Sequence, residues 1–318
     1  MKTGLAVQPE RIFRVNGIQL CAQVFGSPAD PALLLIGGAA SSMDWWEDGF
    51  CDRLAAGGRR VIRYDHRDTG RSTHDAPGAP TYTLADLVAD AVALLDALEV
   101  PRAHVAGISM GGGIAMRIAL DHPERVASLT LLSTSPGGPG ESDLPPMSPA
   151  LEASFGEAAP KPDWRDREAA VAHIVASLGP FAGGRGVDEA RMRELVGRVV
   201  DRTRNIEASM TNHWILGGEG EPVRPRLQEL RMPTLVLHGT EDPLFPYGHA
   251  QALAREIHGA RLLPLPGVGH EMPPPAVWEV VVPAMLEHTA ASCFDAAGAP
   301  SHRPCATCPS CPSARRSC

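Results

Sequence analysis

The first 135 residues of the chain alternate between two patterns of apolar and polar positions. Short apolar runs at 32–36, 61–64, 103–106 and 128–133 have the length of buried strands. Amphipathic segments separate them, and the longest opens with Thr83 and Asp86 in a capping-box arrangement. Buried strands that alternate with helices are typical of a parallel sheet covered on both faces. The pattern therefore predicts an α/β fold with a mostly parallel sheet.

The pattern of apolar and polar positions changes twice along the chain. An N-terminal hairpin is predicted around Asn16-Gly17, and strands at 233–238 and 261–265 resume the sheet pattern near the other end. Between them, residues 136–231 show Pro/Gly-rich joins and helical stretches near 168–178 and 188–205, with no convincing strand. We therefore predict a core formed by 1–135 and 232–292, interrupted by a helical lid at 136–231.

Composition narrows the class of protein. The 318 residues are 44% hydrophobic and 21% charged, as in ordinary globular proteins, and the net charge of -8 argues against general nucleic-acid binding. No apolar run approaches the ~18 residues of a membrane span, and the first residues lack the apolar core of a signal peptide. We expect a cytoplasmic monomer or small homo-oligomer that binds a small molecule and neither nucleic acid nor membrane.

Five of the seven cysteines crowd the last residues, at 293–318. The C-x-x-C-x-x-C spacing of Cys305, Cys308 and Cys311 could hold Zn²⁺ or an Fe–S cluster. The segment is also rich in Pro, Ser and Ala, with no aromatic or β-branched run around the thiols. This composition favours a disordered tail, so we predict no metal site and no cofactor.

The stretch "GISMGGG" places Ser109 among glycines between a predicted strand and a predicted helix. The serine could be a helix N-cap, and the glycines could cradle a phosphate, but neither phosphate-loop pattern fits and no Lys follows. The third interpretation is a G-x-S-x-G nucleophile elbow, in which a sharp turn exposes the hydroxyl. This interpretation requires a base and an acid elsewhere in the chain.

Two later loops supply such residues. Asp242 follows the strand predicted at 234–238, and His270 follows the strand predicted at 261–265. Sites in open parallel sheets form at the carboxyl ends of strands, so both side chains are expected near Ser109. Glu241 is the alternative acid. Two further histidines, His104 and His238, lie within strands and are expected in the core, whereas His213 on the lid is a candidate for facing substrate.

A serine nucleophile also needs two donors for the oxyanion that forms during acyl transfer. We expect one to be the backbone N–H of Met110, at the start of the helix after Ser109. The other should come from the loop after the strand at 32–36, which reads Gly37-Gly38-Ala39, and we choose Gly38.

The order of Ser109, Asp242 and His270 resembles that of the α/β-hydrolases, over about residues 11–290. Within them, "LLLIGGAASSMDWW", "VIRYDHRDTGRST" and "AHVAGISMGG" are similar to the aclacinomycin methylesterases, which remove a methyl ester from an anthracycline polyketide. The resemblance implies catalytic roles for Gly38, Ser109, Met110, Asp242 and His270.

In the second of these stretches, we expect three residues, Asp65, Arg67 and Ser72, to brace one another without doing chemistry. This chain differs from many α/β-hydrolases in reading Ile36-Gly37 where they carry His-Gly.

The expected function is cleavage of a carboxylic ester, specifically the methyl ester of a bulky apolar acid. Nine large apolar residues of the lid are expected to roof a pocket that has no obvious cationic anchor. They are Met147, Leu151, Phe155, Trp164, Phe181, Met192, Met210, Trp214 and Ile215. A cofactor-free perhydrolase of the haloperoxidase type, a lactone hydrolase or a C–C bond hydrolase would use the same triad. A ligand-binding pseudo-hydrolase is the alternative outside enzymes.

Overall fold

A computed structural model describes residues 8–137, 141–156, 161–217 and 222–290. An eight-stranded sheet lies at its centre, in the order β1-β2-β4-β3-β5-β6-β7-β8. The strands are β1 (Arg11–Val15), β2 (Ile18–Phe25), β3 (Ala32–Ile36), β4 (Arg60–Tyr64), β5 (Ala103–Ile108), β6 (Val126–Leu132), β7 (Thr234–Gly239) and β8 (Arg261–Leu265). The cysteines at 293–318 and their C-x-x-C-x-x-C spacing lie outside the described residues.

The six strands from β3 to β8 are parallel to one another, whereas β2 is antiparallel to both of its neighbours, β1 and β4. The predicted hairpin joins β1 to β2 through Asn16 and Gly17, whose φ angles are 47° and 78°. Such positive φ values suit Asn and Gly and match the twist of the flanking strands. The sheet is therefore mostly parallel, as the hydrophobic pattern predicts.

Helices cover both faces of the sheet. They are α1 (Asp48–Ala56), α2 (Leu84–Ala97), α3 (Met110–Asp121), α8 (Gly248–Glu256) and α9 (Trp278–Ala290). Thr83 and Asp86 form the predicted capping box at the start of α2. Strands β3 and β5 contribute alternate residues to opposite faces, so that Leu34 packs in one apolar cluster and Leu33 in the other. This double burial explains why the strands read as continuous apolar runs.

A helical insertion, described at residues 141–156 and 161–217, lies between β6 and β7. Its helices are α4 (Pro149–Gly156), α5 (Arg167–Ser177), α6 (Glu189–Arg202) and α7 (Ile206–Thr211). The pattern predicts a single helix over 188–205, but α6 ends at Arg202 and Asn205 caps α7 by accepting from Ala208 N–H. Helices α5 and α6 form a separate apolar cluster of their own.

Arg202 at the end of α6 anchors the insertion to the core. It bonds the carboxylates of Asp44 and the fully buried Asp65, whose Oδ1 also accepts from Met43 N–H at 2.8 Å. Charged groups this deep are stable only when paired and hydrogen-bonded. This side of the insertion is therefore fixed on the loops that follow β3 and β4.

The expected bracing of Asp65, Arg67 and Ser72 is only partly right. Ser72 Oγ donates to Asp65 O at 2.7 Å, but the Arg67 guanidinium turns away to Asp90, with contacts of 2.6 and 2.9 Å. Asp90 lies buried on α2. Sequence proximity suggested one cluster, whereas the buried carboxylate of α2 attracts the arginine.

Within the described ranges, no helix has the length and apolar character needed to cross a bilayer.

Candidate active site

Ser109 lies at the turn between β5 and α3 with φ 53° and ψ -122°, which is strained for a residue with a side chain. The turn is tight on both sides. A Cβ on Gly107 would lie 2.0 Å from Gly111 O, and one on Gly111 would lie 2.4 Å from Gly37 O. Ser109 does occupy the N-cap position of α3, but its hydroxyl makes no capping hydrogen bond. The strain and the crowded glycines have the geometry of a nucleophile elbow.

His270 and Asp242 both lie beside this hydroxyl. His270 Nε2 is 3.0 Å from Ser109 Oγ, and His270 Nδ1 is 2.8 Å from Asp242 Oδ2. A carboxylate only accepts, so Nδ1 carries the hydrogen and Nε2 presents its lone pair to the hydroxyl. The three side chains thus form an unbroken hydrogen-bonded chain that can move a proton off the serine.

Backbone groups and a second histidine hold Asp242 in place. Its Oδ1 accepts from the N–H groups of Leu244 and Phe245 at 2.9 and 2.8 Å. Burial by itself would raise the pKa of this carboxyl, but the contact with His270 and the neighbouring His238 and Phe245 N–H leave it below its ordinary value. Asp242 is therefore an anion that can orient and stabilise the imidazolium of His270.

His238 lies in the core, as the strand pattern predicts, yet it also touches the candidate acid. Its Nε2 is 2.7 Å from Phe245 O and 3.5 Å from Asp242 Oδ2, and burial lowers its pKa. Glu241, the alternative acid, is committed elsewhere, because its Oε2 accepts from Gly184 N–H of the insertion at 2.5 Å.

The two predicted oxyanion donors lie on either side of Ser109. A Cβ on Gly38 would be 3.4 Å from Ser109 Cβ, so the Gly38 backbone lies directly against the elbow. Met110 is the first residue of α3, and a helix offers no internal acceptor to its first N–H groups. Both residues are therefore close enough to serve, and their role as donors stays a prediction.

The insertion also contacts the loop that carries His270. The His270 N–H donates to Phe181 O at 2.8 Å, and the rings of these two residues are 6.0 Å apart.

His213, in a 3₁₀ helix over Asn212–Ile215, is buried and lies outside the cavity lining, so it does not face substrate. It bonds Ala40 N–H and Arg67 O instead. The helical pattern gives no signal for either contact.

A cavity of about 630 Å³ opens over Ser109 and His270 between the core and the insertion. Four of the nine apolar residues expected to roof it do so, namely Phe181, Met192, Met210 and Trp214. The other five are not in the cavity lining: Leu151 and Trp164 pack elsewhere, and Met147, Phe155 and Ile215 lie outside it, the last two about half exposed. Phe155 still touches the roof through Phe181 and Trp214, at ring distances of 6.1 and 6.4 Å.

The expectation of a cavity without cationic groups is wrong. Arg185 and Arg191 line it, together with the carboxylates of Glu47, Asp188 and Glu271. Arg191 is paired with Glu47 at 3.1 Å, so much of this charge is compensated. Burial raises the pKa of Glu271, which accepts from Gly269 N–H at 3.3 Å. The position of Glu271 directly after His270 is the feature of the sequence that could have indicated a polar cavity wall beside the reacting groups.

Comparison with known proteins agrees with this architecture. The model of a family described as alpha/beta hydrolase fold matches residues 31–274. The chain is 34% identical over 305 residues to rhodomycin D methylesterase DauP of Streptomyces sp. (strain C5), covering 89% of this chain and 99% of DauP. It is 33% identical over 307 residues to rhodomycin D methylesterase DnrP of Streptomyces peucetius, with the same two coverages.

More distant similarities cover most of the chain as well. A putative carbamate hydrolase, RutD of Variovorax paradoxus, is 32% identical over 78% of this chain and 88% of its own length. Among solved structures, a hydrolase from Pseudomonas aeruginosa PA01 is 26% identical with a TM-score of 0.63, covering 89% of this chain and 97% of that one. The enol-lactonase from Burkholderia xenovorans LB400 is 22% identical with a TM-score of 0.65, over 88% and 100% of the two chains, and supports the fold alone.

Proposed function

The chain belongs to the α/β-hydrolase family and is a carboxylic ester hydrolase, and we propose that it works through a Ser109–His270–Asp242 triad on the methyl ester of a bulky apolar acid. The observation that carries the triad is the hydrogen-bonded chain at Ser109, with distances of 3.0 and 2.8 Å. The strained φ of the serine, 53°, is the second support.

In the proposed mechanism, Ser109 Oγ attacks the ester carbonyl while His270 Nε2 takes its proton. The collapse of the tetrahedral intermediate expels methanol, which receives that proton, and an acyl-enzyme remains. His270 then activates water to release the acid. Asp242 holds the imidazole in the Nδ1–H tautomer and stabilises its cation. The N–H groups of Gly38 and Met110 are proposed to bind the oxyanion in both steps.

The proposed substrate class rests on the relatives and on the cavity. Both methylesterases are named for rhodomycin D, and each matches this chain over nearly its whole length. The cavity of about 630 Å³ falls in the range of small-molecule sites, and its roof carries Phe181, Met192, Met210 and Trp214. A planar, largely apolar acyl group fits such a surface better than an acetyl group does. The cytoplasmic location and the monomeric or small oligomeric state stay predictions from the sequence.

Two measurements test this proposal. A fluorophosphonate probe should label the wild-type protein at Ser109, as identified by peptide mass spectrometry. The kcat/KM should then be compared across an anthracycline methyl ester, p-nitrophenyl acetate, a simple lactone and peracid formation from acetate. We expect the methyl ester to be preferred. A tenfold advantage for the acetate-sized substrates would replace the methylesterase proposal by a general esterase, lactonase or perhydrolase. Failure of the probe to label would indicate the pseudo-hydrolase.

A further inference from the structure

The loop after β3 is held at two points by histidines that the proposed mechanism does not use. His66 Nε2 is 3.1 Å from Gly37 O, and His213 Nδ1 is 3.0 Å from Ala40 N. The two contacts bracket Gly38, the proposed oxyanion donor. Residues 37–41 are called the oxyanion loop below. Its position relative to Ser109 therefore depends on two imidazoles outside the triad.

The partners of each ring define its tautomer. A carbonyl oxygen only accepts, so His66 Nε2 carries a hydrogen and donates it to Gly37 O. His213 Nε2 is 2.8 Å from Arg67 O and carries a hydrogen for the same reason. The Nδ1 of His213 then has a lone pair, and it accepts the N–H of Ala40. Burial lowers the pKa of His66 to about 4 and that of His213 to about 3, so both rings are neutral.

Ala40 is the residue of the oxyanion loop whose backbone is strained. Its φ is 57°, in the left-handed region, although it is not a glycine. Ser41 N–H donates to Gly38 O at 3.3 Å and closes the turn that contains it. A turn strained in this way persists only where its surroundings hold it. The hydrogen bond to His213 supplies that support within the same turn as Gly38.

The two histidines come from different parts of the molecule. His66 follows β4 in the core, whereas His213 belongs to the insertion, and their rings meet edge to face with centroids 5.8 Å apart. His213 is buried, and its neighbour Asn212 is fully buried and bonds Asp68 Oδ2 at 2.8 Å. The segment that carries His213 is therefore fixed, and it can transmit that rigidity to the oxyanion loop.

We propose that His213, supported by His66, is a positioning residue that holds the oxyanion loop so that Gly38 N–H points at the reacting oxygen. The inference rests on the proposed function. It makes the helical insertion a part of the chemical machinery as well as a wall of the cavity. His213 touches no substrate, so its loss should weaken interactions made only in the transition state.

Three substitutions of His213 separate its two hydrogen bonds. His213→Asn keeps an acceptor near the Nδ1 position, His213→Gln keeps a donor near the Nε2 position, and His213→Leu removes both. We expect kcat to fall about 10- to 100-fold for Leu and Gln, below the ~10²–10³ of a lost oxyanion donor. The KM should change less than twofold, and Asn should recover most of the kcat. His173→Leu is the matched control, because His173 lies half-buried on α5 against Trp164, away from the oxyanion loop.

A purely structural role is distinguished by inhibitor binding. Phenylboronic acid, which forms a tetrahedral adduct with a serine nucleophile, should bind His213→Leu and His213→Gln at least tenfold more weakly. The product acid, which resembles the ground state, should bind within twofold of wild type. Thermal unfolding identifies a variant that does not fold, and the more conservative Gln variant then decides the outcome.

Two results would overturn the inference. One is a Gln or Leu variant with a kcat within twofold of wild type; the other is an equal loss of affinity for the boronic acid and the product acid. Either result leaves the proposed function standing if the wild-type protein still labels and hydrolyses esters. A wild-type protein that is inert to the probe and to every ester ends both proposals.

Discussion

The elbow at Ser109 and the oxyanion loop face each other across the candidate site, and they are held by different means. The elbow is fixed by the core, because β5, α3 and the closely packed glycines around it restrict its backbone to one conformation. The oxyanion loop is a turn with a strained Ala40, held by hydrogen bonds to His66 and to His213 of the insertion. Backbone packing therefore holds the elbow, whereas hydrogen bonds to side chains hold the oxyanion loop.

This difference shows how a site can combine an invariant framework with an adjustable part. Backbone-to-backbone packing at Gly107 and Gly111 responds to any added atom, because the nearest neighbours cannot rotate away. A hydrogen bond from a side chain can be lost or replaced with a graded effect. We expect substitutions in the elbow to have larger effects on activity than substitutions around the oxyanion loop.

The largest expected effect is that of Ser109→Ala. Loss of the nucleophile of such a triad typically lowers kcat by ~10⁶, while the fold should be unchanged because the hydroxyl contributes little to packing. The measurement is ester hydrolysis with circular dichroism as a check on folding. Ser154→Ala is the control, since Ser154 Oγ only bonds Leu151 O within α4. More than about 1% residual activity in Ser109→Ala would identify a different nucleophile.

A pair of glycine substitutions compares the two regions directly. In Gly111→Ala, the new Cβ would lie 2.4 Å from Gly37 O and 2.5 Å from Ile36 O, both backbone atoms. Relief requires the oxyanion loop and the elbow to separate by about 1 Å, a misplacement that costs on the order of 10² in rate.

In Gly38→Ala, the nearest atom would be Ser109 Cβ at 3.4 Å, an ordinary contact, so kcat should fall less than about fivefold. Steady-state kinetics on one ester checks the pair. Equal effects in both variants would show that packing at the elbow is no tighter than packing at the oxyanion loop.

The smallest expected effect concerns acid stability. His213 has a folded-state pKa of about 3, against an ordinary 6.5, so below pH 6.5 the unfolded chain takes up a proton that the folded protein refuses. The free energy of unfolding is therefore lost as the pH falls from 6.5 toward 3, by about 2 kcal/mol for this residue at pH 5. Asp242 adds almost nothing between pH 7 and pH 5, because its ordinary pKa of 3.8 and its lowered pKa in the folded protein both lie below that range.

Urea denaturation at pH 7 and pH 5 measures this loss. The difference in unfolding free energy between the two pH values should be about 2 kcal/mol smaller in His213→Asn than in wild type. His173→Asn should leave the difference as it is. An unchanged difference in His213→Asn would mean that His213 takes up its proton in the folded protein as readily as in the unfolded chain.

Much of the fold could be predicted from local patterns. The strands β3 to β7 appear as apolar runs because both faces of the sheet are covered, and Asn16-Gly17 marks the hairpin through its positive φ angles. The helix predicted over 188–205 runs past the end of α6 at Arg202, and the short α7 that follows is not predicted. Helix α4 was not predicted, since it is short and lies among Pro-rich joins.

The residues of the candidate triad could be selected from the sequence because each stands where a predicted strand ends. A parallel sheet brings such ends to one edge, so Ser109, Asp242 and His270 meet although they are up to 161 residues apart in the chain. Position along the chain and chemical type carry this information. Their distances and tautomers do not follow from it.

The contacts of the insertion were decided only by the tertiary structure. Arg185 and Arg191 reach the cavity, and His213 reaches Ala40, because helices α5 to α7 pack on one another and dock on the loops after β3 and β4. A helical period shows which face of a helix is buried but not which partner covers it. Hydrogen bonds between residues 173 positions apart depend on that docking, and no local pattern encodes it.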